Sequence, residues 1–258
     1  MTKFASSAGV KLAYDSAGSG HPQLLFVHGW CCDRSHFEPQ LRHFAANHSV
    51  AAMDLRGHGE SSRPNPVTTS YDIATLAEDA LAVATAAGFR RPVVVGHSLG
   101  ALIGLACAAL DGVSAVVMVD PAPITNEKAK KFFLESVNAV AADEDGSWRT
   151  SFVQGMFLPS DLARRSAIIG QLPAQDPGVA AALMQAMGEF DGNTALAKAS
   201  VPVVSIGSAA PTNSPADLRN ACPTITIGQT IGAGHFNQLE VPDQVNAMIE
   251  RFLAITDP

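Results

Sequence analysis

Apolar positions along the first half of the chain follow two rhythms. Unbroken apolar runs at Leu24-Leu25-Phe26-Val27, Val50-Ala51-Ala52-Met53, Pro92-Val93-Val94-Val95 and residues 113–119 predict short strands buried on both faces. Between the runs the spacing changes to three and four. Phe37, Leu41, Phe44 and Ala45 form one helical set, and Ile73, Leu76, Ala77, Ala80, Leu81 and Ala84 form another, with Thr69 or Ser70 as its cap and Gly88 as its stop. Strand-helix alternation with non-alternating strands predicts an α/β fold, a mostly parallel central sheet with helices on both faces.

Beyond Pro121 the rhythm is helical only. Phe132, Phe133, Val137 and Val140, then Trp148, Phe152, Met156 and Phe157, then Leu183, Met184, Met187 and Phe190 predict helices with no strand among them. The sheet is expected to resume at residues 201–206 and 224–227. Val245, Met248, Ile249 and Phe252 then predict a closing helix. The chain therefore divides into a core of residues 1–122 and 198–258, interrupted by an inserted helical cap, or lid, of residues 123–197.

At 258 residues, 47% of them apolar, the chain can bury a large core. Seventeen basic residues against 24 acidic ones leave a net charge of −7, with no basic face for nucleic acid or an anionic membrane. The first seven residues lack the apolar segment of a secretion signal, and no run reaches the roughly 18 apolar residues of a membrane span. A cytoplasmic location is the expectation. Cys31, Cys32, Cys107 and Cys222 match no metal or redox spacing and are expected as reduced thiols, so neither a metal nor a cofactor is predicted.

Candidate chemistry sits where parallel sheets place it, at the carboxyl ends of the strands. Gly96-His97-Ser98-Leu99-Gly100 follows an apolar run and opens a small-residue apolar helix, a strand-turn-helix with serine at its apex. Flanking glycines permit so sharp a turn, and the helix N-terminus supplies free N–H groups to a developing oxyanion. His28, Gly29 and Trp30 end another run, and Asp120 ends the one at 113–119. Gly234-His235-Phe236 precedes the closing helix.

Together these segments resemble the α/β-hydrolase fold superfamily, in particular its serine esterases and lactonases. His28-Gly29-Trp30 is similar to the family's oxyanion loop, and residues 54–61 to its Asp-x-Arg-Gly-x-Gly-x-Ser segment. Residues 96–100 are similar to the nucleophile elbow and Gly234-His235-Phe236 to the histidine loop. The resemblance covers roughly residues 10–121 and 198–258. It implies Ser98 as nucleophile, His235 as general base, and the backbone N–H groups of Trp30 and Leu99 as the oxyanion hole. His28, Gly29, Trp30 and His97 are the candidate substrate contacts. For the acid, many relatives use a position after the strand at 201–206, where this chain has no carboxylate before Asp217. Other branches use the strand before it, where Asp120 stands. Asp120 is the preferred acid and Asp217 the alternative. Asp54 and Arg56 are expected to form a turn-fixing ion pair, with Gly57 and Gly59 supplying unusual backbone angles. His58 is read as structural. His21, His36, His43 and His48 are expected at surface or helix positions.

The implied function is hydrolysis of a small ester or lactone through an acyl-enzyme on Ser98. The alternative is a cofactor-independent dioxygenase of an N-heteroaromatic substrate using a His235–Asp120 dyad, since the Gly29-Trp30-Cys31 segment and the place of Asp120 also resemble that branch of the fold. The expected partner is a small-molecule ester or lactone, and the final helix and the cap are candidate faces for a homodimer.

Overall fold

A computed structural model of the chain describes residues 1–159, 162–171 and 175–258. Its strands are β1 (Lys3–Ser7), β2 (Val10–Ala17), β3 (Leu24–Val27), β4 (Val50–Met53), β5 (Val93–His97), β6 (Ala115–Val119), β7 (Val203–Gly207) and β8 (Thr226–Gln229). They form one sheet in the order β1-β2-β4-β3-β5-β6-β7-β8. β1 and β2 are antiparallel, and every pairing from β4–β3 to β7–β8 is parallel. The strand order reverses between β3 and β5, the switch point at which such sheets open a crevice at their carboxyl ends.

The apolar runs are buried because the sheet has a core on each face. Leu25, Val27, Val94 and Val116 project into one core, where they meet α2 (Ile73–Ala86) and α3 (Leu99–Ala109). Their neighbours Leu24, Phe26, Val93 and Val117 project into the other, against α1 (Glu38–Phe44) and Val245, Ile249 and Phe252 near the C-terminus. Period-two exit of side chains from strands buried on both faces produces this division.

Three expectations change in detail. The antiparallel hairpin of β1 and β2 had no clear signal, because its alternation is carried by small and polar residues such as Ala5, Ser6 and Ser7. β6, β7 and β8 begin two residues later than predicted. The cap of α2 is neither Thr69 nor Ser70 but Asp72, whose carboxylate accepts from the Thr75 N–H at 2.7 Å, while the Ser70 hydroxyl donates to the same carboxylate.

Between β6 and β7 the described residues form α4 (Glu127–Ala141), α5 (Ser147–Gln154), α6 (Leu162–Gln171), α7 (Pro177–Glu189) and α8 (Gly192–Ala197), with no strand among them. Residues 160–161 and 172–174 of the predicted insertion lie outside the described residues. α4 packs along α7, and Val140, Val153 and Met184 continue the α2/α3 core. The last elements are α9 (Pro215–Ala221), α10 (Asn237–Glu240) and α11 (Pro242–Thr256). Among the described residues no helix is long and apolar enough to cross a membrane.

The expected Asp54–Arg56 ion pair does not form. Arg56 instead grips Asp79 of α2 with two parallel bonds of 2.6 and 2.7 Å and donates a third, of 2.8 Å, to the Ser70 carbonyl. Asp54 is bound by the Arg34 guanidinium and by the N–H groups of Arg34 and Glu60, each at 2.8 Å. Gly57 and Gly59 do adopt positive φ, +79° and +49°, and a Cβ on Gly59 would strike the Asp54 carboxylate. Arg56 and Asp79 are both buried, so removing one leaves an uncompensated charge. Arg56→Ala or Asp79→Ala is expected to cost about 3–5 kcal/mol in urea unfolding, whereas replacing both by apolar residues of similar size costs much less.

Candidate active site

Ser98 sits between the end of β5 and the start of α3 with φ +53° and ψ −113°, a region L-residues rarely occupy. Close packing holds it there. A Cβ on Gly96 would lie 2.1 Å from the Gly100 carbonyl oxygen, and one on Gly100 would lie 2.0 Å from that of Val27. Strand and helix therefore approach to backbone contact around the serine, and only glycine fits either position. The Ser98 N–H donates to the Val119 carbonyl at 3.1 Å, tying the turn to β6. Leu99 opens α3, so its N–H has no acceptor within the helix.

Asp120 follows β6 with φ +37° and is 3% exposed. Its Oδ2 accepts from His235 Nδ1 at 2.7 Å and its Oδ1 from the Ser208 N–H at 2.8 Å. The carboxylate is thus fixed at both oxygens, and the imidazole is left with Nε2 as the nitrogen Asp120 does not engage. The backbone of His235 is held as firmly as its ring. Its N–H donates to the Met156 carbonyl at 3.0 Å, and its own carbonyl accepts from His97 Nε2 at 2.9 Å. The Glu240 carboxylate takes the flanking N–H groups of Gly234 and Phe236 at 2.6 and 3.2 Å. Asp217 does not approach the histidine. It lies in the first turn of α9, where the hydroxyl of the cap residue Ser214 donates to its carboxylate at 2.8 Å.

Ser98, Asp120 and His235 line one cavity of about 370 Å³ at the carboxyl end of the sheet. Its further walls come from α4, α5 and the turn after α5, including Phe132, Phe133, Phe152 and Phe157. The other predicted contacts are nearby but do not line it. Gly29 packs beneath the serine, where an added Cβ would lie 3.2 Å from Ser98 Cβ and 2.8 Å from His97 Nδ1. Trp30 is buried, with Nε1–H donating to the Ala180 carbonyl at 2.8 Å and its ring edge-on to Phe152 at 5.8 Å. His28 spends both nitrogens on backbone, accepting from the Leu55 N–H at 3.0 Å and donating to the Gly29 carbonyl at 2.8 Å. His97 is buried, its ring centroid 4.6 Å from that of His235 and tilted by 46°.

Sequence reasoning missed four supports: Ser208, Glu240, the Met156 carbonyl and Asn213. Asn213 accepts from the Ile124 N–H at 2.7 Å and donates to the Pro121 and Ala122 carbonyls at 3.1 and 3.0 Å, steering the chain as it leaves Asp120. The carboxylate of Glu240, five residues past the histidine at a helix start, was the only one of these with a visible signal.

Burial sets the charge of the supporting histidines. It pushes His28 down to about 4 and His58, next to His28, down to about 3. His97 is likewise held well below its ordinary value by burial and by His235. His36, expected at a surface or helix position, is buried within a short 3-10 helix at Arg34–Phe37. Burial opposes its charge, yet Cys32 and Asp33 raise it to about 10. The four cysteines are buried free thiols, and among the described residues no cluster of three or more His, Cys, Asp or Glu is arranged to hold a metal.

Comparison with known proteins agrees with this architecture. A family model described as "Alpha/beta hydrolase family" matches residues 24–248. A 2-(acetamidomethylene)succinate hydrolase of Mesorhizobium japonicum is 32% identical over 161 residues, 60% of this chain and 56% of that enzyme. The chain thus spans little more than half the length of that relative. The enol-lactonase from Burkholderia xenovorans LB400 superposes with a TM-score of 0.82 at 22% identity, covering 98% of this chain and 100% of the other. A thermophilic esterase from Thermogutta terrifontis gives a TM-score of 0.83 at 20% identity, with 99% of each chain covered. At such identity these two superpositions speak for the fold alone.

The depressed histidines make stability depend on pH in a defined direction. His28, His58 and His97 are neutral in the folded state, while the unfolded chain takes up protons below about 6.5. The stability they confer is complete above that pH and is lost as pH falls toward their folded values. His36 is charged in both states below 6.5 and adds no slope there. Urea unfolding between pH 7 and 5.5, above the carboxylate range, is expected to show falling stability with acid. His58→Asn is expected to show a shallower fall.

Proposed function

The chain belongs to the alpha/beta hydrolase family, and from that premise we propose that it is a serine hydrolase of small esters or lactones. The observation that carries this reading is the meeting in one cavity of a strained, glycine-flanked Ser98 with His235, whose Nδ1 is 2.7 Å from the Asp120 carboxylate. His235 Nε2 takes the proton of the Ser98 hydroxyl as its oxygen attacks the ester carbonyl. The N–H groups of Leu99 and Trp30 receive the oxyanion, and the alcohol leaves with the proton carried by His235. Water, activated by the same imidazole, then releases the acid and restores Ser98.

Asp120 holds the Nδ1–H tautomer and stabilises the imidazolium while it exists. The low pKa of His97 suits this role. A neutral ring 4.6 Å from His235 adds no charge against the imidazolium, and its Nε2–H keeps the His235 carbonyl in place. His28 and Gly29 act as the floor on which the oxyanion loop rests, and Asp217 has no part in the reaction. The relative named as a 2-(acetamidomethylene)succinate hydrolase supports hydrolysis of a small molecule.

Intact mass after exposure to a fluorophosphonate tests the mechanism. One adduct is expected on the native enzyme and none on Ser98→Ala, with Asp120→Asn labelled far more slowly. Against a turned-over ester, Asp120→Asn is expected to lower kcat by about 10⁴, as loss of the correct tautomer does in such triads. Absence of an adduct on folded protein defeats the acyl-enzyme. Oxygen consumption with an N-heteroaromatic substrate would then identify the His235–Asp120 dyad as the working pair.

A further inference from the structure

The walls of the Ser98 cavity are built largely from rings. Phe152 is the hub, stacked against Phe132 at 5.8 Å and 28° and against Trp148 at 5.2 Å and 25°, with Phe133 edge-on at 6.2 Å. Beside the histidine, Phe157 stacks on Phe236 at 5.0 Å and 15°. Phe132 is 45% exposed although it lines the cavity, so the aromatic wall presents an uncovered ring at its edge. A ring entering such a site gains offset or edge-to-face contacts that a saturated group of equal size does not.

Among the described residues, the same walls carry no cationic side chain for a substrate carboxylate. None of the described lining residues is lysine or arginine, and the polar side chains beyond Ser98, Asp120 and His235 are the hydroxyls of Ser208 and Thr212. On α4, Lys130 and Lys131 pair with Glu127 at 3.1 Å and Glu135 at 3.6 Å, and neither they nor the exposed Lys128 line the cavity. The fixed charge facing the cavity is the buried carboxylate of Asp120, of the same sign as a substrate carboxylate. An anionic substituent would leave water without a compensating partner.

We propose that the substrate of Ser98 is a neutral ester bearing a flat aromatic ring, and that esters carrying their own carboxylate are refused. The assignment rests on the acyl-transfer reading above. A volume of about 370 Å³ accommodates one ring and a short ester. The selection also works on the product. Hydrolysis leaves a carboxylate in a cavity whose described lining residues include no lysine or arginine, and the field that excludes acidic substrates promotes its release.

Three esters separate ring from charge: ethyl phenylacetate, ethyl cyclohexylacetate and monoethyl phenylmalonate, followed by acid release at constant pH. For the native enzyme, kcat/KM for ethyl phenylacetate is expected to exceed that for ethyl cyclohexylacetate by about three- to tenfold. It is expected to exceed that for monoethyl phenylmalonate by about 100-fold or more. Phe132 is half-exposed, so its replacement spares the core. Phe132→Ala is expected to erase the preference for the aromatic ring, and Phe132→Arg to raise turnover of the monoacid by about tenfold while lowering that of ethyl phenylacetate. Equal turnover of the monoacid and the neutral phenyl ester, or of the cyclohexyl and phenyl esters, overturns the proposal. Fluorophosphonate labelling of the same preparation keeps the two readings apart. An adduct on Ser98 with unselective or absent turnover of these esters overturns only the substrate assignment, whereas no adduct overturns both.

Discussion

Backbone contact between a strand and the helix that follows it is the constraint on which this molecule depends. With no side chain at Gly96, β5 and α3 close to a separation that any Cβ would prevent, bare Gly100 lets α3 meet the backbone at the end of β3, and the chain between β5 and α3 turns through positive φ at Ser98. The cost of that conformation, of order 1–3 kcal/mol, is met by the buried strands and helix on either side. Because the turn lies beside the switch point between β3 and β5, the serine emerges where the sheet already opens a crevice. Gly29 completes the fit, since anything larger would push into His97 and Ser98.

Around that turn the polar groups are arranged so that few of them can change state. His28 and His58 are neutral through burial, and His28 bonds to backbone through both nitrogens. Asp120 is held by a backbone N–H on one oxygen and an imidazole on the other. Arg56 and Asp79 form a buried bidentate pair on the far side of α2 from solvent, a device that fixes geometry more than it adds stability. His235 sits at the open end of this network, with one nitrogen committed and the other at the cavity. In the proposed mechanism, such rigid neighbours let His235 cycle its proton without the surroundings reorganising.

The sequence revealed those parts whose signal is local. All six parallel strands were legible, five of them because a strand buried on both faces must be apolar at consecutive positions. Ser98, Asp120 and His235 were legible because each follows such a run or a glycine turn. The β1–β2 hairpin was hidden, since one of its faces is solvated and its alternation passes through alanine and serine. The partner of Arg56 was hidden because Asp79 is 23 residues away, on a helix whose apolar stripe read as ordinary packing. For His28, Trp30 and His97 the sequence indicated proximity to the site but not direction, and their rings turn inward to backbone partners instead of to the cavity. Which face of α4 and α5 meets the cavity depends on how those helices dock, and periodicity alone carries no such information.

The bond from the His235 N–H to the Met156 carbonyl joins the histidine loop to the segment between β6 and β7. That segment is thus no interchangeable cover. A designer who exchanged it for another helical segment would be exchanging one of the anchors of the histidine as well. A chimaera would have to reproduce a single backbone oxygen, at a position where Gly234 leaves room for nothing bulkier, before its new walls could confer any new preference. The same tether acts on natural drift. Insertions and deletions on either side of Met156 are tolerable only where they return this carbonyl to its place, so the chain's capacity to acquire new substrates is channelled into side-chain replacement along α4 and α5 and away from changes in their length.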